Sequence, residues 1–77
     1  MAITYDFLER NGGDFDVIAS VTNDAGAVTW SGDPVVIESI QRMVADFGFD
    51  ISDPAQLAAL QERLSTGSYF SCAPAKS

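Results

Sequence analysis

Aspartate is the residue type in this chain with the best claim to do chemistry, and one stretch gathers it. Asp14 and Asp16 lie two positions apart, so on an extended strand they share a face at a spacing of about 7 Å. Asp6 is expected on the same face of a neighbouring strand. Three carboxylates on one surface could hold a divalent cation or meet the Lys and Arg groups of a partner. The metal reading is the weaker, because Leu8 and Ile18 fall among the acids and the spacing matches no calcium loop. Asn11-Gly12-Gly13-Asp14-Phe15-Asp16 is only superficially like a glycine-aspartate calcium repeat and occurs once. No metal and no cofactor are expected.

Other chemistries fail on residue type. There is no histidine, which removes the usual general base and the commonest metal ligand together. No glycine loop ends in Lys and Ser or Thr, and no serine sits in a nucleophile-elbow setting. Cys72 is the single cysteine; with no cation near it in sequence it reads as a small buried hydrophobe, and no intramolecular disulfide can form. The chain is therefore expected not to be an enzyme.

The acids must be held by something, and the pattern around them is that of a strand. Phe15, Val17, Ala19 and Val21 alternate with Asp14, Asp16, Ile18, Ser20 and Thr22, the period of two that marks a half-buried strand. Before it, Ile3, Tyr5 and Phe7 face one way, with Thr4, Asp6 and Leu8 the other way. The turn Asn11-Gly12-Gly13 is read as a three-residue loop with Gly13 left-handed, which sets Arg10 against Asp14, Phe7 against Val17, Tyr5 against Ala19 and Ile3 against Val21. After Asn23-Asp24-Ala25-Gly26, a four-residue loop would pair Val21 with Val28 and Ala19 with Trp30, leaving the indole room as a core anchor.

Two helices follow, each opened by Asp-Pro, an N-cap followed by a residue whose missing N–H costs nothing there. In the first, Val36, Ile37, Ile40, Met43, Val44 and Phe47 form an apolar stripe. Glu38 and Arg42 pair at i, i+4, and Gly48 stops the helix. In the second, Gln56 completes a capping box with Asp53, Ile51 and Leu57 staple the start, Leu57, Leu60 and Leu64 make a narrower face, and Gly67 ends it. Residues 68–73 read either as a short edge strand ended by Pro74 or as an irregular tail, with 74–77 frayed.

The expected fold is thus a single two-layer α+β domain over residues 1–77, a three-stranded antiparallel meander followed by two helices (β-β-β-α-α), with a short C-terminal edge strand as one reading of the end. Its expected core is Phe7, Phe15, Val17, Val21, Trp30, Ile40, Val44, Phe47, Leu60 and Leu64. An apolar fraction of 47% supports a packed domain, but 77 residues bury only about 60% of their unfolded surface.

Eleven acidic against four basic residues give a net charge of −7. That sign disfavours direct nucleic-acid or membrane contact and favours basic partners. No apolar run reaches the ~18 residues of a membrane span and the start lacks the basic residues of a signal peptide, so a cytoplasmic location is expected. The surface expected to bind is Asp6, Leu8, Asp14, Asp16 and Ile18: carboxylates around an apolar centre, matched to a basic protein surface with a hydrophobic contact in its middle. In size, acidity and want of catalytic residues the chain resembles small phage-encoded anti-CRISPR and DNA-mimic proteins. That resemblance implies an inhibitor or decoy that occupies the basic surface of a larger nucleic-acid-binding protein. The alternative is a small structural or assembly subunit that forms a homodimer through its strand edges.

Overall fold

A computed structural model of the chain describes residues 2–75. The strands are β1 (Ala2–Asn11), β2 (Asp14–Asp24), β3 (Ala27–Gly32) and β4 (Phe70–Pro74), and the helices are α1 (Pro34–Phe47) and α2 (Pro54–Leu64). All neighbouring strands are antiparallel, in the order β3-β2-β1-β4. The fold is α+β: a meander, two helices over one sheet face, and a short last strand that returns beside β1.

Local chemistry accounts for the helix ends. Asp33 and Asp53 accept hydrogen bonds through their side chains from the amides of Val35 (2.8 Å) and Ala55 (3.0 Å), satisfying donors that the first turn leaves without partners. Gly48 takes φ 81° at the end of α1, a conformation that favours glycine. Glu38 and Arg42 pair at 2.8 Å on the exposed side. Gln56 departs from the expected capping box: its Oε1 accepts from the amide of Asp50 rather than that of Asp53. The cap of α2 is Ser65 rather than Gly67.

Both hairpins are tighter than expected, and each register moves by two or fewer residues. Asn11 pairs with Asp14, so only Gly12 and Gly13 form the first turn, and Gly12 takes the left-handed φ of 67°. Asp24 pairs with Ala27 across Ala25 and Gly26. Ala25 at φ 52° and Gly26 at φ 95° give the positive pair that a two-residue turn uses to follow the strand twist. Phe7 therefore faces Ala19, Tyr5 faces Val21, and Trp30 faces Val21 instead of Ala19.

One irregularity rearranges half of β2. Leu8 pairs with Val17 while Phe7 pairs with Ala19, so Ile18 is an extra residue opposite no partner, a β-bulge. Beyond it Ala19, Val21 and Asn23 point to the helices and are buried. Before it the alternation is reversed. Phe15 and Val17, expected in the core, stand 43% and 56% exposed on the outer face, and Ile18 turns inward against the core.

The core is Tyr5, Phe7, Ala19, Val21, Ile40, Val44, Leu57, Leu60 and Cys72. The Phe7 ring is stacked between Trp30 and Phe70, each 5.8 Å away and inclined by 21°, within the range where ring pairs add to simple burial. Trp30 and Leu64 are half-buried. Phe47 is not a core anchor: it is 43% exposed and lies under the Arg63 guanidinium, 5.0 Å from the ring centre. Asn23 is a buried polar residue, and its side-chain nitrogen and oxygen are both bonded. Its amide donates to Ile51 O at 2.8 Å and its Oδ1 accepts from the Gly26 amide at 2.9 Å, tying the second turn to the loop between the helices. The end of the chain is more ordered than expected: Pro74 closes β4 and the Ala75 amide donates to Thr4 O at 3.0 Å. Residues 76–77 of the expected frayed tail lie outside the described residues.

Truncation of Phe7 to Ala is expected to cost about 3–5 kcal/mol and leave the chain largely unfolded, whereas Phe47→Ala is expected to cost no more than about 1 kcal/mol. Asn23→Ala, which strips the side-chain partner from the O of half-buried Ile51, is expected to cost about 1–3 kcal/mol. Urea unfolding followed by tryptophan fluorescence ranks the three.

Candidate functional site

The β1–β2 hairpin outruns the rest of the sheet. β4 pairs with β1 over Tyr5–Glu9, and β3 with β2 over Ala19–Asp24. The Arg10 amide still donates to Tyr69 O at 2.8 Å. From Asn11 to Ile18 the hairpin has only its own partner strand, and every residue from Glu9 to Val17 is exposed. A projecting arm of this kind offers two faces and an open edge along Asp14–Ile18.

The bulge decides what each face carries. Asp6, Leu8 and Arg10 alternate outward along β1, and their partners Val17 and Phe15 do the same on β2. Asp6, Leu8, Phe15, Val17, Ala73 and Pro74 line a shallow depression of about 440 Å³ on this outer face. Toward the helices stand Glu9 and Asn11, opposite Asp16 and Asp14, followed by Ile18. The Asn11 amide donates to Asp16 Oδ2 at 3.0 Å, which holds that carboxylate against the strand. Glu9, Ile18 and Phe70 join Val36, Ile40 and Met43 around a cavity of about 310 Å³ between the sheet and α1.

The five residues expected to form one surface are thus divided between two. Asp6 and Leu8 lie on the outer face; Asp14, Asp16 and Ile18 belong to the helix side. The expectation failed because it carried one alternation through β2, and an extra residue reverses the faces on one side of it. Phe15 and Val17 were missed for the same reason; Glu9, on β1, and Met43, on the apolar stripe of α1, were missed because the surface was sought on the opposite face of the sheet. A signal was present: Val17-Ile18-Ala19 is an unbroken apolar run inside an otherwise alternating strand, as expected where two successive residues point inward.

Asp6 is half-buried and engaged, its Oδ1 accepting from Ser20 Oγ at 2.6 Å. Beside it the hydroxyls of Thr4 and Thr22 are bonded at 2.8 Å. Among the described residues no three Asp, Glu, Cys or His side chains come together to hold a metal ion, and no helix is long and apolar enough to cross a membrane. Cys72 lies in the core opposite Phe7. Burial, and next the charge of Asp6, push its thiol up to about 12, so no nucleophilic thiolate is available at neutral pH. The chain matches no protein-family model, no curated protein and no solved structure. Its class is therefore given by its architecture alone, a two-layer α+β domain with a projecting hairpin.

The raised thiol has a consequence for stability. The unfolded chain loses the Cys72 proton near pH ~8.5, and the folded chain only near about 12. Between those values the unfolded state binds fewer protons, so the contribution of Cys72 to stability, complete below pH ~8.5, falls as pH rises. Cys72→Ala is expected to flatten that alkaline decline, read as urea midpoints from pH 7 upward. In the native wild type the thiol is expected to resist a disulfide reagent until the chain unfolds.

Proposed function

We propose that the chain is a non-enzymatic acidic binding module that seats a basic, apolar-anchored segment of a larger protein between its hairpin and α1, acting as an inhibitor or decoy. The observation that carries this reading is the cavity of about 310 Å³ with an apolar lining of Ile18, Val36, Ile40, Met43 and Phe70 and Glu9 at its wall. Asp16 faces Glu9 across the hairpin and Asp14 follows toward the tip.

An apolar centre within a charged rim is the usual division of labour at a protein interface: the centre supplies burial, and the rim supplies orientation and encounter rate. The rim here has one sign. Of the described cations, Arg42 is paired with Glu38, Arg63 lies over Phe47, and Arg10 belongs to the outer face. A net charge of −7 extends the same field over the molecule and steers a basic partner toward it. Carboxylates on strands present spaced anionic oxygens to Arg and Lys much as backbone phosphates do. The surface of a nucleic-acid-binding protein is accordingly the partner proposed.

The test is capture from the native host with mass spectrometry, followed by kinetics on the captured protein. Glu9→Lys, Asp14→Lys and Asp16→Lys together are expected to slow association by about tenfold or more at low salt, with the difference shrinking as salt rises. Met43→Ala is expected to act on dissociation instead. Wild-type affinity in the folded triple variant at low salt would reduce this face to ordinary solvated surface.

A further inference from the structure

The opposite face of the hairpin has its own unexplained feature. Phe15 and Val17, 43% and 56% exposed, stand beside half-buried Leu8 on paired strands, together with Ala73 and Pro74 around one depression. Large aliphatic and aromatic groups concentrated on one rigid surface mark a contact more often than a solvated face. Among the described residues nothing covers them, because both helices pack on the other side.

The charges bordering this patch say what would cover it. Along β1 the outward residues run Asp6, Leu8, Arg10, an anion and a cation spaced equally about an apolar residue. Arg10 is exposed, and its Nε donates only to the nearby Gly12 O. A two-fold axis lying in the plane of contact, perpendicular to β1 and passing over Leu8, lays β1 antiparallel on its own copy. Leu8 then meets Leu8, and Val17, its cross-strand partner, meets Val17. Asp6 of each copy meets Arg10 of the other, twice over. The Phe15 rings flank this centre and fall over Ser20 of the second copy. A foreign basic surface would match Asp6 but repel Arg10; a second copy satisfies both.

We propose that this outer face is a self-association surface on which two copies pack sheet to sheet, at the spacing of about 10 Å usual for stacked sheets, centred on Leu8 and Val17 and aligned by reciprocal Asp6–Arg10 pairs. The contact is isologous and closes as a dimer. It leaves the groove beside α1 open in each copy, so it does not depend on the partner reading above.

The experiment is sedimentation equilibrium of the purified chain alone at physiological salt, over a range of about 5 to 500 μM. The mass is expected to rise from 8.2 kDa toward twice that value. Val17→Lys, placed at a position exposed enough to accept it without unfolding, is expected to hold the chain at the lower mass throughout. Arg10→Asp and Asp6→Arg are each expected to weaken the dimer by about tenfold or more, and the double exchange to recover most of the loss. A wild type that stays at 8.2 kDa over the whole range overturns the proposal. A dimer that Val17→Lys leaves intact overturns it equally, by moving the contact elsewhere, as to the edge of β3. Single exchanges that weaken the dimer without recovery in the double overturn the two-fold pairing.

Discussion

Much of this molecule follows from where Ile18 goes. Two successive residues of β2, Ile18 and Ala19, turn toward the helices, and a single partner strand cannot follow both, so the ladder skips one. A bulge also bends and twists its strand. The neighbouring β3 must then come close: a Cβ at Gly32 would stand 2.9 Å from Ile18 O, and its φ is 130°. β3 can approach the bulge because this position is glycine, and β3 ends there. That ending leaves the edge of β2 from Asp14 to Ile18 without a further strand, so the projecting arm and the bulge share one cause.

The core beneath the sheet is small and centred on one ring. Phe7 is fully buried between Trp30 and Phe70, joining β3 to β4 across the width of the sheet. Leu57 and Leu60 close it from α2, Ile40 and Val44 from α1. With so few fully buried groups the polar contacts matter more, and they are complete: among the described residues no buried side-chain nitrogen or oxygen lacks a partner. Asn23 shows how this is achieved, since its buried side chain bonds a turn amide and a loop carbonyl, and left without them it would be costly.

The two faces of the hairpin differ in electrostatic character although they share the same strands. The helix side carries Glu9 at the wall of an apolar groove, with Asp16 and Asp14 following toward the hairpin tip; the outer side carries one acid and one base around an apolar patch. A one-signed rim selects a partner of opposite sign, whereas an alternating pair can select its own copy. The neutral hydroxyl band of Thr4, Thr22 and Ser20 separates the outer patch from the far end of the sheet, where it is tied up in internal hydrogen bonds.

The sequence by itself determined the elements. Period-two alternation, Asp-Pro helix starts and glycine stops are local, and the three strands and two helices they predict are present with the Asp33 and Asp53 caps and the Gly48 stop, although α2 ends at Ser65 rather than Gly67. Of the two readings of the end, the edge strand is the one found. It also settled which residues of β1 face inward, because Tyr5 and Phe7 obey an unbroken alternation, and a register error of two residues keeps every side chain on its own face. What only the tertiary structure decided was parity within β2. Whether Ile18 or Val17 turns inward depends on how closely β3 can approach and how much volume α1 leaves, and neither is a property of neighbouring residues. The assignment of Asp14, Asp16 and Ile18 to the helix side, and of Phe15 and Val17 to solvent, follows from that one choice. Phe47 was misplaced because it continues the stripe of α1, yet its ring is 43% exposed and lies under the Arg63 guanidinium of α2 rather than in the core.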